Sequence, residues 1–285
     1  MRLGMIYSRV RVDEKMLIEA AEKRSRKLEL LFDDELVFDV HQQDWTYDAI
    51  LERSISYTRG LYALKFLTYQ GVPAVNRYEV ALQCGDKTET SILLAKHGVP
   101  TPKTLVAFTP ASAMKAIRQM GYPCVIKPTL GSWARMVAKI TDETSAEQII
   151  ELREQLPNPV QQVYYIQEYV NKTEGSNGSH RDIRAFVVGD ELICAIYRTS
   201  PHWITNTAKG GKASNCPVTP ALREIGMKAA EAVGGGVLAL DIMETPNGFT
   251  CHEVNHTMEF KNSVAPTGVD IPGKIIEHLV RTAKK

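Results

Sequence analysis

The stretch V237-LALDIMETPNGFTCHEV-N255 decides the reading of this chain. Pro246-Asn247-Gly248 has the composition of a three-residue turn, with Pro suited to its first position and Gly248 to a left-handed one. With those three residues as the loop, Thr245 faces Phe249, and counting back sets Asp241 opposite Glu253. Side chains alternate along a strand, so Asn255 shares the face of Glu253, and His252 points to the other face. Two carboxylates and an amide oxygen then converge from adjacent strands. These are hard oxygen ligands, suited to a Mg²⁺ that shares its shell with phosphates and water. A lone Asp/Glu pair reads more readily as an edge hairpin with solvated acids. Against that, Val237–Leu240 is too apolar for an edge, and the acids interrupt apolar runs instead of following a polar stripe.

Outward from the hairpin, the 285 residues are enough for two compact domains or one with subdomains. A 44% hydrophobic content supports a sizeable core, and a formal net charge of +1 gives no global field toward nucleic acid or membrane. No apolar run approaches the roughly 20 residues that span a bilayer. The opening MRLGMIYSRVRVDEK lacks the apolar centre of a signal peptide, so a cytoplasmic location is the expectation. Cysteines 84, 124, 194, 216 and 251 form no C-x-x-C pair and are odd in number, which argues against a disulfide framework or structural zinc.

Strand and helix patterns alternate over the first 80 or so residues, as in a small parallel α/β domain. Its expected strands are Arg2–Tyr7, Ala49–Ser54 and Val72–Asn76, with helices over Asp13–Arg26 and Gly60–Tyr69. A second unit starts near Gly85-Asp86-Lys87 and a third after residue 170. Segments rich in strands, with helices between them, make these units α+β. The polar loop Asn171–His180 is rich in Gly and Ser, and a long loop holds Gly210-Gly211. The expected units are 1–84, 85–170 and 171–285.

Several side chains carry chemistry. Lys127, in the apolar strand CVIKP, needs a charge partner, and a phosphate or a snorkelling position at a strand end would each serve. Lys87 follows Gly85-Asp86 at a helix start, a place suited to phosphate or to an ordinary surface lysine. The Gly131-Ser132-Trp133-Ala134-Arg135 loop has the makings of a phosphate lid. No Walker A loop, G-x-G-x-x-G, H-E-x-x-H or G-x-S-x-G is present. Gln167-Glu168-Tyr169-Val170 ends a strand where an adenine edge could be read. Arg184, Arg198, Asn206 and Lys209 supply donors of the kind that phosphoryl transfer requires.

In combination Lys87, Lys127, GSWAR, QEYV, RDIRAFVVGDELICAIYR, NTAKGG, Asp241 and EVN follow the order of RimK-type ATP-grasp ligases. The stretches HWITNTAKGG and EVNHTMEFKNSV resemble in particular the branch that ligates alpha-aminoadipate to the carrier protein LysW in lysine biosynthesis. The resemblance covers nearly the whole chain. It implies an ATP-grasp fold behind an N-terminal Rossmann-like pre-ATP-grasp domain. It also implies ATP and Mg²⁺, a small acidic carrier LysW, 2-aminoadipate as substrate, and a homo-oligomer. The implied reaction is phosphorylation of the carrier's C-terminal glutamate side chain, then attack by the amino acid's α-amino group.

The roles implied follow residue by residue. Asp241, Glu253 and Asn255 bind Mg²⁺; Lys87 and Lys127 hold ATP phosphates under the lid; Gln167, Glu168, Tyr169 and Val170 hold adenine. Arg184, Arg198 and Lys209 act on the transferred group, with Asn206 near the phosphates. Arg184, His256, Asn262, Ser263 and the Thr267-Gly268 turn line the amino-acid site. Relatives that use glutamate for arginine biosynthesis tend to carry Gly-Phe where this chain has Asn262-Ser263, which favours aminoadipate. A dual enzyme, another RimK-like ligase and a non-catalytic nucleotide-binding protein are the competing readings. Ala134 stands where the family pattern has Gly, and loop 171–180 is longer than the pattern. Arg184, Lys209 and Lys212 are candidates for a basic patch facing an acidic carrier.

Overall fold

The structure is a computed structural model and describes residues 1–171, 179–207 and 210–284. Its elements run β1 (Leu3–Tyr7), α1 (Val12–Lys23), β2 (Leu28–Phe32), β3 (Ala49–Arg53), α2 (Tyr57–Tyr69), β4 (Ala74–Val75), α3 (Tyr78–Gly85), α4 (Lys87–Lys96), β5 (Thr104–Ala107), α5 (Pro110–Met120), β6 (Cys124–Lys127) and β7 (Ala138–Ile140). Then come α6 (Glu143–Glu154), β8 (Tyr164–Glu168), β9 (His180–Val188), β10 (Glu191–Ser200), β11 (Lys212–Cys216), α7 (Pro220–Ala232), β12 (Val237–Thr245), β13 (Gly248–Asn255), α8 (Val264–Thr267) and α9 (Ile271–Thr282).

Three sheets organise these elements. The first is parallel in the order β2-β1-β3-β4. It has one strand more than the sequence pattern predicts, the run LELLF of β2, which pairs with β1. The second is antiparallel, β5-β8-β6-β7, and α5 and α6 cover it. The third is antiparallel, β11-β10-β9-β12-β13. The polar sequence KASNC of β11 pairs with β10 as an edge strand, in what reads from sequence as loop.

Packing does not respect the unit borders expected from sequence. One core joins Leu3, Met5, Leu17 and Leu51 of the first sheet and its helix to Phe186, Val188 and Ile196 of the third sheet and Ile275 of α9. Leu94 and Val99, expected with the second unit, pack with Leu238, Leu240 and Val254 of the third sheet. The second sheet keeps a separate core around Ile126, Ile150 and Ile166. Asn76 ties the first sheet to the third: its amide donates to Val237 O at 2.8 Å and His256 O at 2.6 Å, and its Oδ1 accepts from Val237 N at 2.6 Å. Gly236 makes room for this clamp, since a Cβ there would lie 2.2 Å from Asn76 Oδ1. All five cysteines are free and buried. Among the described residues no helix is long and apolar enough to cross a membrane.

Candidate active site

The hairpin of β12 and β13 meets the expected end point by a different route. Thr245 pairs with Gly248, not Phe249, so the turn is the two residues Pro246-Asn247. The register then slips between Asp241 and Ile242, where a bulge restores Asp241 opposite Glu253. The bulged residue is His252, and it does not point away as alternation predicts. Its side chain gathers with those of Asp241 and Glu253, their ligand atoms within 4.8 Å of one another, and Nδ1 lies 3.1 Å from Asp241 O.

A row of charges crosses the third sheet from this point. Arg184 on β9 is opposite Asp241 and grips it with Nε to Oδ1 at 2.9 Å and Nη2 to Oδ2 at 3.2 Å. Arg198 on β10 is opposite Asp182 and forks onto it with two bonds of 2.8 Å, while its Nη2 lies 3.2 Å from Asp241 Oδ1. The Thr205 hydroxyl also donates to Asp182. Period-2 alternation explains the row: Asp182 and Arg184 are two apart on one strand and share a face. Burial by itself would raise the Asp241 carboxyl, but Arg184 and Arg198 hold it well below the ordinary carboxylate range. Burial also raises Glu253, and Lys87 first and Lys127 after it bring it below its usual value, against the repulsion of Asp241.

The opposing wall belongs to the second sheet and the lid. Lys127 is 9% exposed on β6, and its Nζ donates to Gln167 Oε1 at 2.7 Å. Gln167 in turn donates to Tyr165 Oη at 2.8 Å, so its side chain orients the lysine. Asp86 caps α4, and Lys87 at the head of that helix donates to Gly131 O at 2.6 Å while lying 3.5 Å from Glu253 Oε1. Lys87 therefore links lid to acid. Trp133, Ala134 and Met136 all adopt positive φ, at 59°, 49° and 56°, so the lid backbone is strained at the alanine the family pattern disfavours. Arg135 stacks over the Trp133 ring at 4.8 Å. Lys139 lies over the Tyr169 ring at 3.9 Å, and Tyr169 meets Trp203 edge-on.

One cavity lies between these walls. Lys87, Lys127, the lid residues Gly131, Ser132, Trp133, Ala134 and Arg135, and Gln167 to Val170 line it on one side. Arg184, Arg198, Asn206, Asp241, Glu253, Asn255 and His256 line it on the other. Asn262, Ser263, Thr267 and Gly268 do not. Asn262 is exposed and Ser263 is buried; Ser263 leads into α8, where the Thr267 hydroxyl donates to Ser263 O at 2.6 Å and Gly268 closes the helix. Lys209 lies outside the described residues, as does most of loop 171–180. The sequence reading missed other walls: Asp182, the residues Trp203, Ile204, Thr205 and Thr207 around the expected Asn206, and Arg11 with Ser54–Tyr57 at the C-terminal ends of β1 and β3. A signal for the last was present, since serines precede a helix right after a parallel strand, the usual ligand edge of such sheets.

The donor set fits a hard divalent cation. Asp241 and Glu253 are ionised, and Asn255 Nδ2 leans on Ala239 O at 3.4 Å, which leaves Oδ1 as its ligand atom. Internal cations, Arg184 and Lys87, hold the same carboxylates.

Comparison with known proteins agrees with this geometry. Residues 84–279 match the RimK-like ATP-grasp domain and residues 3–82 the LysX preATP-grasp domain. The chain is 35% identical to the alpha-aminoadipate–LysW ligase LysX of Saccharolobus solfataricus, over 96% of this chain and 99% of that one. It is 32% identical to the glutamate–LysW ligase ArgX of Sulfurisphaera tokodaii, over the whole of both. The crystal structure of a RimK domain ATP-grasp protein from Sphaerobacter thermophilus superposes with a TM-score of 0.82 at 25% identity, covering 98% of this chain and 100% of that one. With its acids, lysines and lid facing one cavity between two antiparallel sheets, the chain belongs to the RimK-like ATP-grasp family, with a LysX-type preATP-grasp domain at its head.

Proposed function

We propose that this ATP-dependent amino-acid ligase joins the α-amino group of 2-aminoadipate to the side-chain carboxylate of the C-terminal glutamate of a LysW-type carrier. The observation that carries the proposal is the meeting of Asp241, Glu253 and Asn255 with Lys87 and Lys127 across one cavity, backed by Arg184 and Arg198. No nucleophile or acid–base dyad is needed for phosphoryl transfer, where positioning and charge neutralisation carry most of the catalysis.

In this reading ATP lies with its phosphates under Gly131–Arg135. Lys127, oriented by Gln167, and Lys87 face the phosphate oxygens. Mg²⁺, when bound by Asp241, Glu253 and Asn255, neutralises charge on the transferring group. The carrier carboxylate takes the γ-phosphoryl group, and the bond from the γ-phosphorus to the ADP oxygen breaks. The amine nitrogen then attacks the acyl carbon, loses a proton and expels phosphate. Arg184 is the donor suited to the developing oxyanion, because a divalent cation held by Asp241 would supply the neutralising charge that Arg184 supplies to it here. Arg198 stays on Asp182 and keeps the row in place.

Asn262-Ser263 supports aminoadipate over glutamate, acting at one remove because neither lines the cavity. The second reading, glutamate as the amino acid, is supported by the full-length similarity to ArgX. One methylene is worth only about 1–3 kcal/mol in a pocket of fixed shape, so specificity needs direct measurement. The test offers ATP, LysW and either amino acid, and follows carrier mass. A gain with aminoadipate alone supports the proposal, and a gain with glutamate alone replaces it with the second reading. No gain with either removes the carrier-ligase reading.

A further inference from the structure

A chain of polar side chains runs from Lys127 away from the cavity and into the buried space behind it. On β8, Tyr164 and Ile166 point into the private core of the second sheet, so alternation turns Tyr165 and Gln167 to the other face. On β6, Cys124 and Ile126 point into the same core, and Lys127 shares the outer face with Tyr165 and Gln167. The register sets Lys127 opposite Tyr165, and Gln167 opposite Val125 on one side and Thr104 on the other. Lys127 and Gln167 line the cavity, whereas Tyr165, 1% exposed, and Ser91 do not.

Hydrogen-bond chemistry fixes the direction of this chain. A lysine ammonium only donates, so the end of the Gln167 amide 2.7 Å from Lys127 Nζ is its oxygen. The amide nitrogen then points away and donates to Tyr165 Oη at 2.8 Å and to Thr104 Oγ1 at 3.3 Å. Thr104 gives its own proton to Pro102 O at 3.0 Å. Burial raises the Tyr165 hydroxyl above its ordinary value, so it is a neutral phenol that accepts from Gln167. Tyr165 Oη also meets Ser91 Oγ at 2.8 Å, and both groups are buried. Ser91 is on α4, one helical turn from Lys87 and on the same side of the helix. Since α4 packs through Leu94 with the third sheet, this bond joins the supports of the two walls that enclose the cavity.

We propose that Tyr165 and Ser91 are positioning residues for ATP: acting through Gln167, they hold Lys127 at a fixed reach from Lys87, so that both ammonium groups meet the phosphates together. The inference rests on the ATP-dependent ligase reading above and names what keeps its two lysines in register. Lys127 is carried by the second sheet and Lys87 by α4. One tie between them is backbone, Lys87 N donating to Thr129 O at 2.9 Å. The Tyr165–Ser91 bond is a second tie, one turn further along α4, and two ties resist a rotation that one permits. Without the phenol oxygen, the Gln167 amide keeps only the Thr104 acceptor at 3.3 Å. It can then turn its nitrogen toward Lys127, where two donors face each other without an acceptor. Donors held in place before the phosphates arrive cost no reorganisation on binding.

The test is Tyr165→Phe, which keeps the ring and its packing, with the non-hydrolysable analogue AMPPNP and Mg²⁺ as the probe in titration calorimetry. Affinity for Mg-AMPPNP falls about fivefold, the size of one lost neutral hydrogen bond. Ser91→Ala, which leaves Tyr165 and Gln167 bonded to each other, lowers it about threefold. The double variant is no weaker than Tyr165→Phe alone, because the two hydroxyls act in series. Adenosine, which has no phosphates, competes with wild type and variants alike to within about twofold. Unchanged AMPPNP affinity in either variant, even with a lowered melting temperature, overturns the proposal. So do equal losses for adenosine and AMPPNP, as general loosening of the site would give, and losses that multiply in the double variant. A wild-type protein that binds no AMPPNP overturns it together with the nucleotide site. Failure of the carrier to gain mass is a separate result, which removes the acceptor reading and leaves these affinities to decide the positioning role.

Discussion

Replacing Arg198 by Met should be among the most damaging single changes in the third sheet. Arg198 is 2% exposed, and Asp182 and Asp241, which it joins, are each 3% exposed. It supplies two bonds of 2.8 Å to Asp182 and a contact of 3.2 Å to Asp241. Breaking a buried pair from one side costs about 3–5 kcal/mol, because a carboxylate is left enclosed without its counter-charge. Arg184 remains on Asp241, which argues for the lower end, about 3 kcal/mol. At about 2–4 °C per kcal/mol, scanning calorimetry should show a melting point lower by roughly 6–12 °C. Arg198→Lys keeps the charge, loses the fork and should fall between wild type and Arg198→Met. Adding Mg²⁺ should raise the melting point of the Met variant more than that of the wild type, since a divalent cation restores charge beside Asp241. The sign in acid follows from Asp241, whose folded value is depressed. Its stabilising contribution is complete above the unfolded value of 3.8 and is lost as the pH falls through the lower folded one. The gap between wild type and variant therefore narrows in strong acid. A loss below about 1 kcal/mol, or equal losses for Met and Lys, would refute the reasoning.

Three further outcomes are expected. Glu253→Ala should abolish ligation while leaving the circular dichroism spectrum and melting point nearly unchanged; a folded variant with normal turnover would sink the metal assignment. Ala134→Gly should relieve a positive φ of 49° and stabilise the protein by up to about 1–2 kcal/mol, less the extra entropy of the unfolded chain, as read by denaturant midpoint. Burial, aided by Arg53, lowers His256 from 6.5 to about 4, so the unfolded chain binds its proton first. Wild-type stability should therefore drop as the pH falls from 6.5 toward 4, and His256→Asn should flatten that part of a pH–stability curve.

The hairpin shows how much of the site can be read from a sequence and where reading stops. Asp241 faces Glu253 as alternation predicts, but through two one-residue shifts that cancel: a shorter turn and a bulge at His252. Neither Gly nor Pro marks that bulge, so His252 appears from sequence to face away. Strands with an apolar run, such as Cys124–Lys127 and Val237–Thr245, are legible because burial dictates their composition. The polar edge strand Lys212–Cys216 is not, because only its partner β10 defines it. The same limit hides Arg11, Ser54 and Asp182. Their roles depend on elements tens to hundreds of residues away, and local pattern carries no trace of that distance. Asn262-Ser263 is the converse case, a pair prominent as a motif that stands outside the cavity wall.

The shared core of the first and third sheets bears on how such a chain can be cut or recombined. The two family matches meet between residues 82 and 84, an inviting place to split a gene. Yet Phe186, Val188 and Ile196 on one side of that point pack with Met5, Leu17 and Leu51 on the other. A fragment beginning at residue 84 would present those side chains to water and lose the Asn76 clamp on Val237. The head of the chain therefore cannot be exchanged like a cassette. Only the piece bearing β5 to β8, with its private interior, has the makings of a transplantable part.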